Sequence, residues 1–134
     1  MQGSFGRDLA AYKRKVTEQL ETIVVKVSFE GLKNIVLRSP VDTGRYRANN
    51  QVAMNRLPEN SLMSFDKRGH VTIAAGNRVL GTYSLGDTVF IANNVAYAVA
   101  IEEGHSKRAP SGVYRITALE MVQEFEKVAR TWGG

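Results

Sequence analysis

A proline at position 40 divides this sequence into two parts that must fold differently. Proline cannot continue an α-helix, and it moves the preceding residue, Ser39, away from helical dihedral angles. The residues that follow, Asp42-Thr43-Gly44, combine side chains that cap backbone amides with a glycine that is free to take a positive φ. We therefore predict a structural turn at Pro40, Asp42, Thr43 and Gly44, with a helix before it and a different structure after it.

The residues before this turn have the periodicity of one long amphipathic helix over residues 1–38. Apolar side chains recur at intervals of three and four residues, at Leu9, Tyr12, Val16, Leu20, Ile23 and Val27. Some 30 helical residues make an element about 45 Å long. A small domain does not need such a length for its own core, so we expect part of this helix to pack on a neighbouring subunit.

Residues 51–93 predict a sheet with long loops. Apolar and alternating runs indicate three to four strands, at residues 51–55, 70–74, 88–93 and, as a candidate fourth, 79–83. The connection over residues 56–69 contains Pro, Asn, Ser and Gly. Because loops longer than about 12 residues are commonly functional or mobile, we interpret it as an arm that contacts a partner and becomes ordered on assembly.

The C-terminal part predicts two helices separated by a basic loop. Residues 95–104 are rich in alanine and end in Glu-Glu-Gly, which favours a short helix with a glycine C-cap. Ser111 is a candidate N-cap for a last helix over residues 111–132. The apolar side chains of this helix recur at four-three intervals, and we expect them to face the core: Ala118, Val122, Phe125, Ala129 and Trp132.

The order helix, sheet, helix predicts one α+β domain over residues 1–134, with a mostly antiparallel sheet and the C-terminal helix packed on it. The length suits a single core, and the apolar content of 43% is that of an ordinary globular protein. No cysteine is present, which excludes disulfides and thiolate metal sites. No apolar run approaches the roughly 18 residues that span a bilayer, and no signal-peptide pattern begins the chain, so we expect no membrane contact and synthesis in a cytoplasm.

The formal net charge is +5, and residues 1–50 carry nine basic and five acidic side chains. Such a surplus suits an acidic partner, nucleic acid included, and keeps a DNA-binding module as one alternative. The other interpretation is a solvated helix face, since no cluster interleaves basic residues with aromatic ones as single-strand binders do.

Two groups of residues have an enzymatic appearance, and neither predicts catalysis. The triplet Asp42-Thr43-Gly44 is that of aspartic proteases, whose paired carboxylates share a proton. Here it follows a helix and precedes two arginines, which would keep the carboxyl group ionised. Adjacent Glu102 and Glu103 diverge on a helix, and no second histidine lies at a ligand spacing from His105. We therefore expect no enzyme, no metal and no cofactor.

Two blocks of the sequence carry a resemblance. The first is Ser39-Pro-Val-Asp-Thr-Gly-Arg-Tyr-Arg-Ala-Asn-Asn50, and the second lies within 86–112 and contains Ile91-Ala-Asn-Asn94 and Ile101-Glu-Glu-Gly-His-Ser-Lys-Arg-Ala-Pro-Ser-Gly112. Together they resemble the tail-component proteins of long-tailed bacteriophages, the tail completion or neck proteins at the joint between head and tail. The blocks cover about 40 residues in the family's order and separation. The family often has an aromatic residue where Asn50 stands.

The resemblance implies a structural virion protein that forms a homo-oligomeric ring, typically a hexamer. One face of the ring would bind the head-connector protein and the other the tail tube or tail terminator protein, after assembly in the host cytoplasm, with passing contact with DNA. A tail terminator ring, which stops tail-tube polymerisation, is the nearest alternative. Candidate subunit or partner contacts are Arg45, Arg47, Lys107 and Arg108, because arginine suits bidentate pairing with carboxylates. Alternatively, Arg45 or Arg47 pairs with Asp42 and locks the turn.

Overall fold

The computed structural model describes residues 2–132, which form an α+β fold of five helices and a two-stranded antiparallel sheet. The α+β class and the long N-terminal helix are therefore confirmed. In chain order, the elements are α1 (Gln2–Arg38), α2 (Arg45–Ala48), β1 (Gln51–Met54), α3 (His70–Leu80), β2 (Val89–Ala92), α4 (Ala98–Glu102) and α5 (Tyr114–Thr131).

Helices α2, α3 and α5 pack on the C-terminal half of α1. Both α3 and α5 lie against it, and its buried apolar side chains are Val27, Leu32, Ile35 and Val36. Helix α5 is antiparallel to α1: Arg38 at the end of α1 donates to Thr117 Oγ1 near the start of α5 (3.0 Å), and Gly31 lies against the Met121 side chain. Arg38 also forms a bidentate ion pair with Glu120, whose second bond is 2.6 Å long.

A second part of the core lies beneath the turn that follows α1. Ile35 contributes to it from α1 and Tyr46 from α2. The remaining buried side chains come from the chain around α4, namely Val95, Ile101, Ala109 and Val113. The first resemblance block therefore packs directly on the second.

The sheet has two strands where the sequence predicted three to four. Strand β1 pairs with β2 in an antiparallel register in which Gln51 faces Ala92 and Met54 faces Val89. All residues of both strands are half-buried. Residues 79–83, the candidate fourth strand, form the last turn of α3 and the turn that follows it.

The prediction of a strand at residues 70–74 was wrong, because these residues begin helix α3. Their alternation and β-branched side chains favour a strand locally, but burial follows a helical interval of four, at Thr72, Gly76 and Leu80. A Cβ at Gly76 would overlap Leu32 and lie 2.9 Å from Val52 Cγ2. The absence of a side chain there lets α3 pack closely between α1 and β1.

Helix α5 differs from the sequence prediction in its first residue, in the element on which it packs and in the side that it buries. It begins at Tyr114 rather than Ser111, and no side-chain cap comes from its N-cap residue, Val113. It packs chiefly along α1 rather than on the sheet. The four-three stripe expected to face the core is exposed, because α5 is rotated so that Thr117 and Met121, which lie beside this stripe, face α1 instead.

The N-terminal part of α1 extends beyond the other elements. Residues 3–15 are all exposed, among them Phe5, Leu9 and Tyr12 at 72%, 55% and 67%. We call residues 3–15 the α1 overhang. Within the described chain, no helix combines the length and the apolar character that a membrane span requires.

The 56–69 loop is bonded to the rest of the fold. Asn49 Oδ1 accepts from Leu62 N, and the Asn49 side-chain amide donates to Leu62 O (3.0 Å). Asp66 N donates to Gly44 O (3.0 Å), and Asp66 accepts from backbone amides at the start of α3. The loop therefore has defined contacts with α2 and with the start of α3 in the single chain, while its contact with a partner remains a prediction.

Candidate functional site

The turn after α1 takes its shape from Gly44. This residue has φ +90°, as the predicted turn requires, and it precedes α2 directly. The Thr43 hydroxyl accepts from Arg45 N at 3.2 Å. Asp42 is exposed and forms no ion pair with Arg45 or Arg47 among residues 2–132. Thr43 and Gly44 thus shape the turn without the Asp42 carboxylate.

The two arginines of the turn have different surroundings. Arg47 donates to three backbone carbonyls, those of Lys67 (2.8 Å), Leu37 (3.2 Å) and Ser39 (2.9 Å), and so ties the end of α1 to the 56–69 loop. Arg45 turns instead toward the surface formed with the second resemblance block. Its Nε is buried, and within residues 2–132 no acceptor bonds to it.

A buried network centred on Asn50 connects the two blocks. The Asn50 side-chain amide donates to Ser39 Oγ (2.9 Å), and its Oδ1 accepts from Tyr114 Oη (2.7 Å) and from Asn93 Nδ2 (3.1 Å). Asn93 also donates to Tyr46 O at 2.8 Å. Burial raises the pKa of the Tyr114 hydroxyl, so it remains a protonated donor. Asn50 is 2% exposed, and every one of its polar side-chain atoms has a partner, as a buried amide requires.

Glu102 fixes the start of α5. Its Oε1 accepts from Val113 N (3.0 Å) and Tyr114 N (2.7 Å), and its Oε2 accepts from Arg115 N (2.9 Å). Burial alone would raise the pKa of Glu102, but these three backbone hydrogen bonds outweigh it and lower that pKa. The cap predicted at Ser111 is therefore supplied from α4, a distant element, because a carboxylate satisfies several free amides at a helix start.

The glycine predicted to end α4 does so. Gly104 has φ +87° and donates to Ile101 O (3.0 Å), while His105 N donates to Ala100 O (3.0 Å). This pair of bonds is the Schellman arrangement. It directs the basic loop over residues 105–110 back toward the turn after α1.

A basic groove forms where this loop meets the turn. Arg108 Nη1 donates to Val41 O at 2.5 Å, and Arg45, Lys107 and Arg108 line a groove of about 600 Å³ together with Tyr46, whose ring centroid lies 6.3 Å from that of Tyr97. Three of the four predicted contact residues thus share one surface. Arg47 lies apart from it and lines a neighbouring groove of about 400 Å³, which it shares with Arg108.

The side chains that border this groove are suited to binding anions. A groove bordered by two guanidinium groups and an ammonium group suits carboxylates of a partner protein. The structure brings no group of three or more potential His, Asp or Glu metal ligands together within residues 2–132. Of Glu102, Glu103 and His105, Glu102 is the least exposed, and its carboxylate is occupied in capping α5.

Comparison of the chain with protein-family models, curated proteins and solved structures found no match. The assignment of this site therefore depends on its geometry and on the sequence resemblance. Sequence reasoning missed its central residues, Asn50, Asn93 and Glu102, as well as Asp66. For Asn50 and Asn93 the sequence did contain a signal, a pair of asparagines next to each strand: Asn49-Asn50 before β1 and Asn93-Asn94 after β2. Such pairs are notable because buried side-chain amides commonly form hydrogen bonds between chain segments.

We expect the substitution Glu102→Gln to destabilise the protein by about 1–2 kcal/mol at pH 7, because a neutral amide replaces a charged cap of three amides. The pKa of Glu102 is lowered on folding from 4.5, so its contribution is complete above that value and disappears as the pH falls through the folded pKa. Urea unfolding of both proteins should therefore give a free-energy difference that is largest at pH 7 and shrinks toward pH 3.

The matched control for this prediction is Glu103→Gln. Glu103 is adjacent and exposed, and we expect its substitution to change the free energy of unfolding by less than about 0.5 kcal/mol at either pH. Equal effects of the two substitutions would contradict the capping role of Glu102.

Proposed function

We propose that this chain is a structural virion protein of the bacteriophage neck, a ring subunit that completes the tail and mediates its attachment to the head. The observation that carries the proposal is the packing of the two resemblance blocks against each other. Asn50 and Arg108 bond across the blocks, so residues far apart in the sequence form one surface. Proteins that share an interaction site at this surface would be expected to resemble one another mainly in the residues that form it, which are those of the two blocks.

The exposed apolar side chains support a role in assembly. In addition to the α1 overhang and α5, the 56–69 loop exposes Leu57 (58%), Met63 (78%) and Phe65 (58%). Large exposed apolar groups held on an ordered frame are typical of protein interfaces. We assign this loop surface to an axial partner, the head-connector protein on one side of the ring or the tail tube or terminator on the other.

The double substitution Met63→Ser and Phe65→Ser tests this assignment. Both side chains are exposed, so we expect the melting temperature to change by no more than about 3 °C. In host cells infected by a phage that lacks a functional copy of this gene, the variant should reduce joined virions at least tenfold relative to the unmodified protein. Electron microscopy should show separate filled heads and tails of normal length.

Val71→Ser is the control, because Val71 is 71% exposed on α3 outside the loop, and it should support joining. Overlong tails with the double variant would instead favour the tail terminator role. Joined virions at the unmodified level would contradict the proposed loop contact.

A further inference from the structure

The basic groove between the turn after α1 and the loop over residues 105–110 contains cations that the chain itself does not neutralise. Arg45 and Lys107 line the groove, and neither forms an ion pair within residues 2–132. Arg108, the third cation, donates from one nitrogen to Val41 O and is likewise in no ion pair of the described chain. The groove therefore presents N–H donors and positive charge to a ligand.

Arg45 is the cation best prepared to bind a carboxylate. Its Nε is buried and has no acceptor within residues 2–132, so part of the charged group has left water without gaining a partner, which costs free energy. The two terminal nitrogens of the same guanidinium group are not buried in this way and donate to no group of the described chain. A ligand carboxylate can bind these two nitrogens as a pair and compensate the desolvated charge.

Part of the groove lining is apolar. Tyr46, Tyr97 and Ile101 contribute to it, and Tyr97 is 42% exposed. The volume of about 600 Å³ lies in the range of sites that enclose small ligands, so it accommodates a few residues of a peptide. Cations beside an apolar surface select a ligand in which an apolar side chain adjoins a carboxylate.

The composition of the groove favours a peptide over a nucleic acid. Asp42 lines it together with the three cations, which gives a formal charge of +2 (three minus one). Surfaces that bind duplex DNA neutralise many phosphates over about 1,000 Å² or more. Single strands stack on successive exposed aromatic rings, whereas here Tyr97 is 42% exposed and Tyr46 only 4%.

We propose that this groove binds an acidic segment of another protein. An aspartate or glutamate side chain of that segment pairs with the Arg45 guanidinium group, beside Lys107, and an adjacent apolar side chain packs on Tyr97. The groove is distinct from the loop surface assigned to an axial partner above, because none of the described groove residues belongs to the 56–69 loop. The inference rests on the proposed function for the partner, another neck protein, while the ligand chemistry can be tested on the purified chain.

The probe is a four-residue peptide, blocked at both ends, in which phenylalanine precedes aspartate. We expect it to bind with a dissociation constant on the order of 1 mM. In proton–nitrogen correlation spectra it should shift the Arg45 Nε–H signal and the backbone amides of residues 105–108. Peptides with asparagine in place of aspartate, or alanine in place of phenylalanine, should bind at least about fivefold more weakly, because each lacks one part of the ligand.

Two double variants remove equal charge inside and outside the groove. Arg45→Gln with Lys107→Gln should weaken binding of the aspartate peptide at least about fivefold, and it retains the bond that Arg108 makes. Lys13→Gln with Lys15→Gln, on the exposed α1 overhang, should leave binding unchanged. Arg45→Lys should weaken it about threefold, because an ammonium group lacks the planar fork of a guanidinium group. Circular dichroism should show that all variants are folded.

Three outcomes would overturn the inference: no shifts at about 10 mM peptide, equal binding of the asparagine peptide, or equal weakening by the two double variants. An oligothymidine of about ten nucleotides that binds the groove more tightly than the peptide, with an affinity that falls steeply between about 50 and 200 mM salt, would assign the groove to nucleic acid instead.

The neck role is read separately, from virion joining in infected cells. Lost peptide binding together with normal joining in the variant of Arg45 and Lys107 would retain the peptide site and exclude a neck partner at this groove. A peptide that fails to bind, together with separate heads and tails produced by the loop variant described above, would overturn the inference and leave the neck role intact.

Discussion

Replacement of Gly44 by alanine should lower the free energy of unfolding by about 3 kcal/mol. The positive φ of +90° at this position disfavours any residue with a Cβ by about 1–2 kcal/mol. The new Cβ would also lie 2.7 Å from Lys67 N and 2.8 Å from Asp66 N. These are backbone atoms that cannot rotate away, so the 56–69 loop must move and the bond from Asp66 N to Gly44 O is lost, at a further cost of about 1 kcal/mol.

Gly86→Ala separates backbone strain from the close contact. Gly86 also has a positive φ, +103°, but a Cβ there meets nothing within 4 Å. We expect this control to cost only about 1 kcal/mol, the strain alone. Thermal and urea unfolding of both variants should show the difference as a melting temperature about 5–10 °C lower for Gly44→Ala than for Gly86→Ala. Equal stabilities would show that the loop does not pack on the turn.

Replacement of Asn50 by alanine should cost about 3–4 kcal/mol, because it removes the partner of several buried polar groups at once. Ser39 Oγ loses its donor, and Tyr114 Oη and Asn93 Nδ2 lose their acceptor. Asn50 also ties the end of α1, the end of β2 and the start of α5 together, so we expect the cooperativity of unfolding to fall as well. Urea unfolding monitored by circular dichroism measures both quantities.

Two further substitutions calibrate this effect. Tyr114→Phe removes a single bond of the network and should cost about 1 kcal/mol, and the double variant should cost less than the sum of the single ones because the residues are coupled. Asn94→Ala removes a bond to Pro58 O from an exposed side chain and should have a small effect. An Asn50→Ala cost no greater than that of Asn94→Ala would exclude the central role of Asn50.

The features that sequence reasoning predicted are those that local chemistry determines. The helical period before Pro40 predicted α1, which ends at Arg38. The glycines predicted to take a positive φ, Gly44 and Gly104, do so. In each case the backbone has few alternatives, since proline cannot continue a helix and only glycine adopts the left-handed region without strain.

The features that the sequence did not predict depend on distant residues. Residues 70–74 have a local preference for a strand, but α3 forms because Asp66 caps it and Gly76 admits Leu32. The last helix begins at Tyr114 because Glu102 binds its first amides. Neither partner can be identified from the short windows on which propensity and periodicity operate.

The sequence by itself determined that this chain has a long N-terminal helix, a glycine turn after Pro40 and a later helix with a four-three apolar stripe. Only the tertiary structure decided which side of that helix meets the core. Thr117 bonds to Arg38 and Met121 packs on Gly31, so the more apolar stripe around Phe125 is left exposed. Periodicity reveals that a helix has an apolar face, but the surface that covers it, in the same chain or in another copy, is set by three-dimensional contacts.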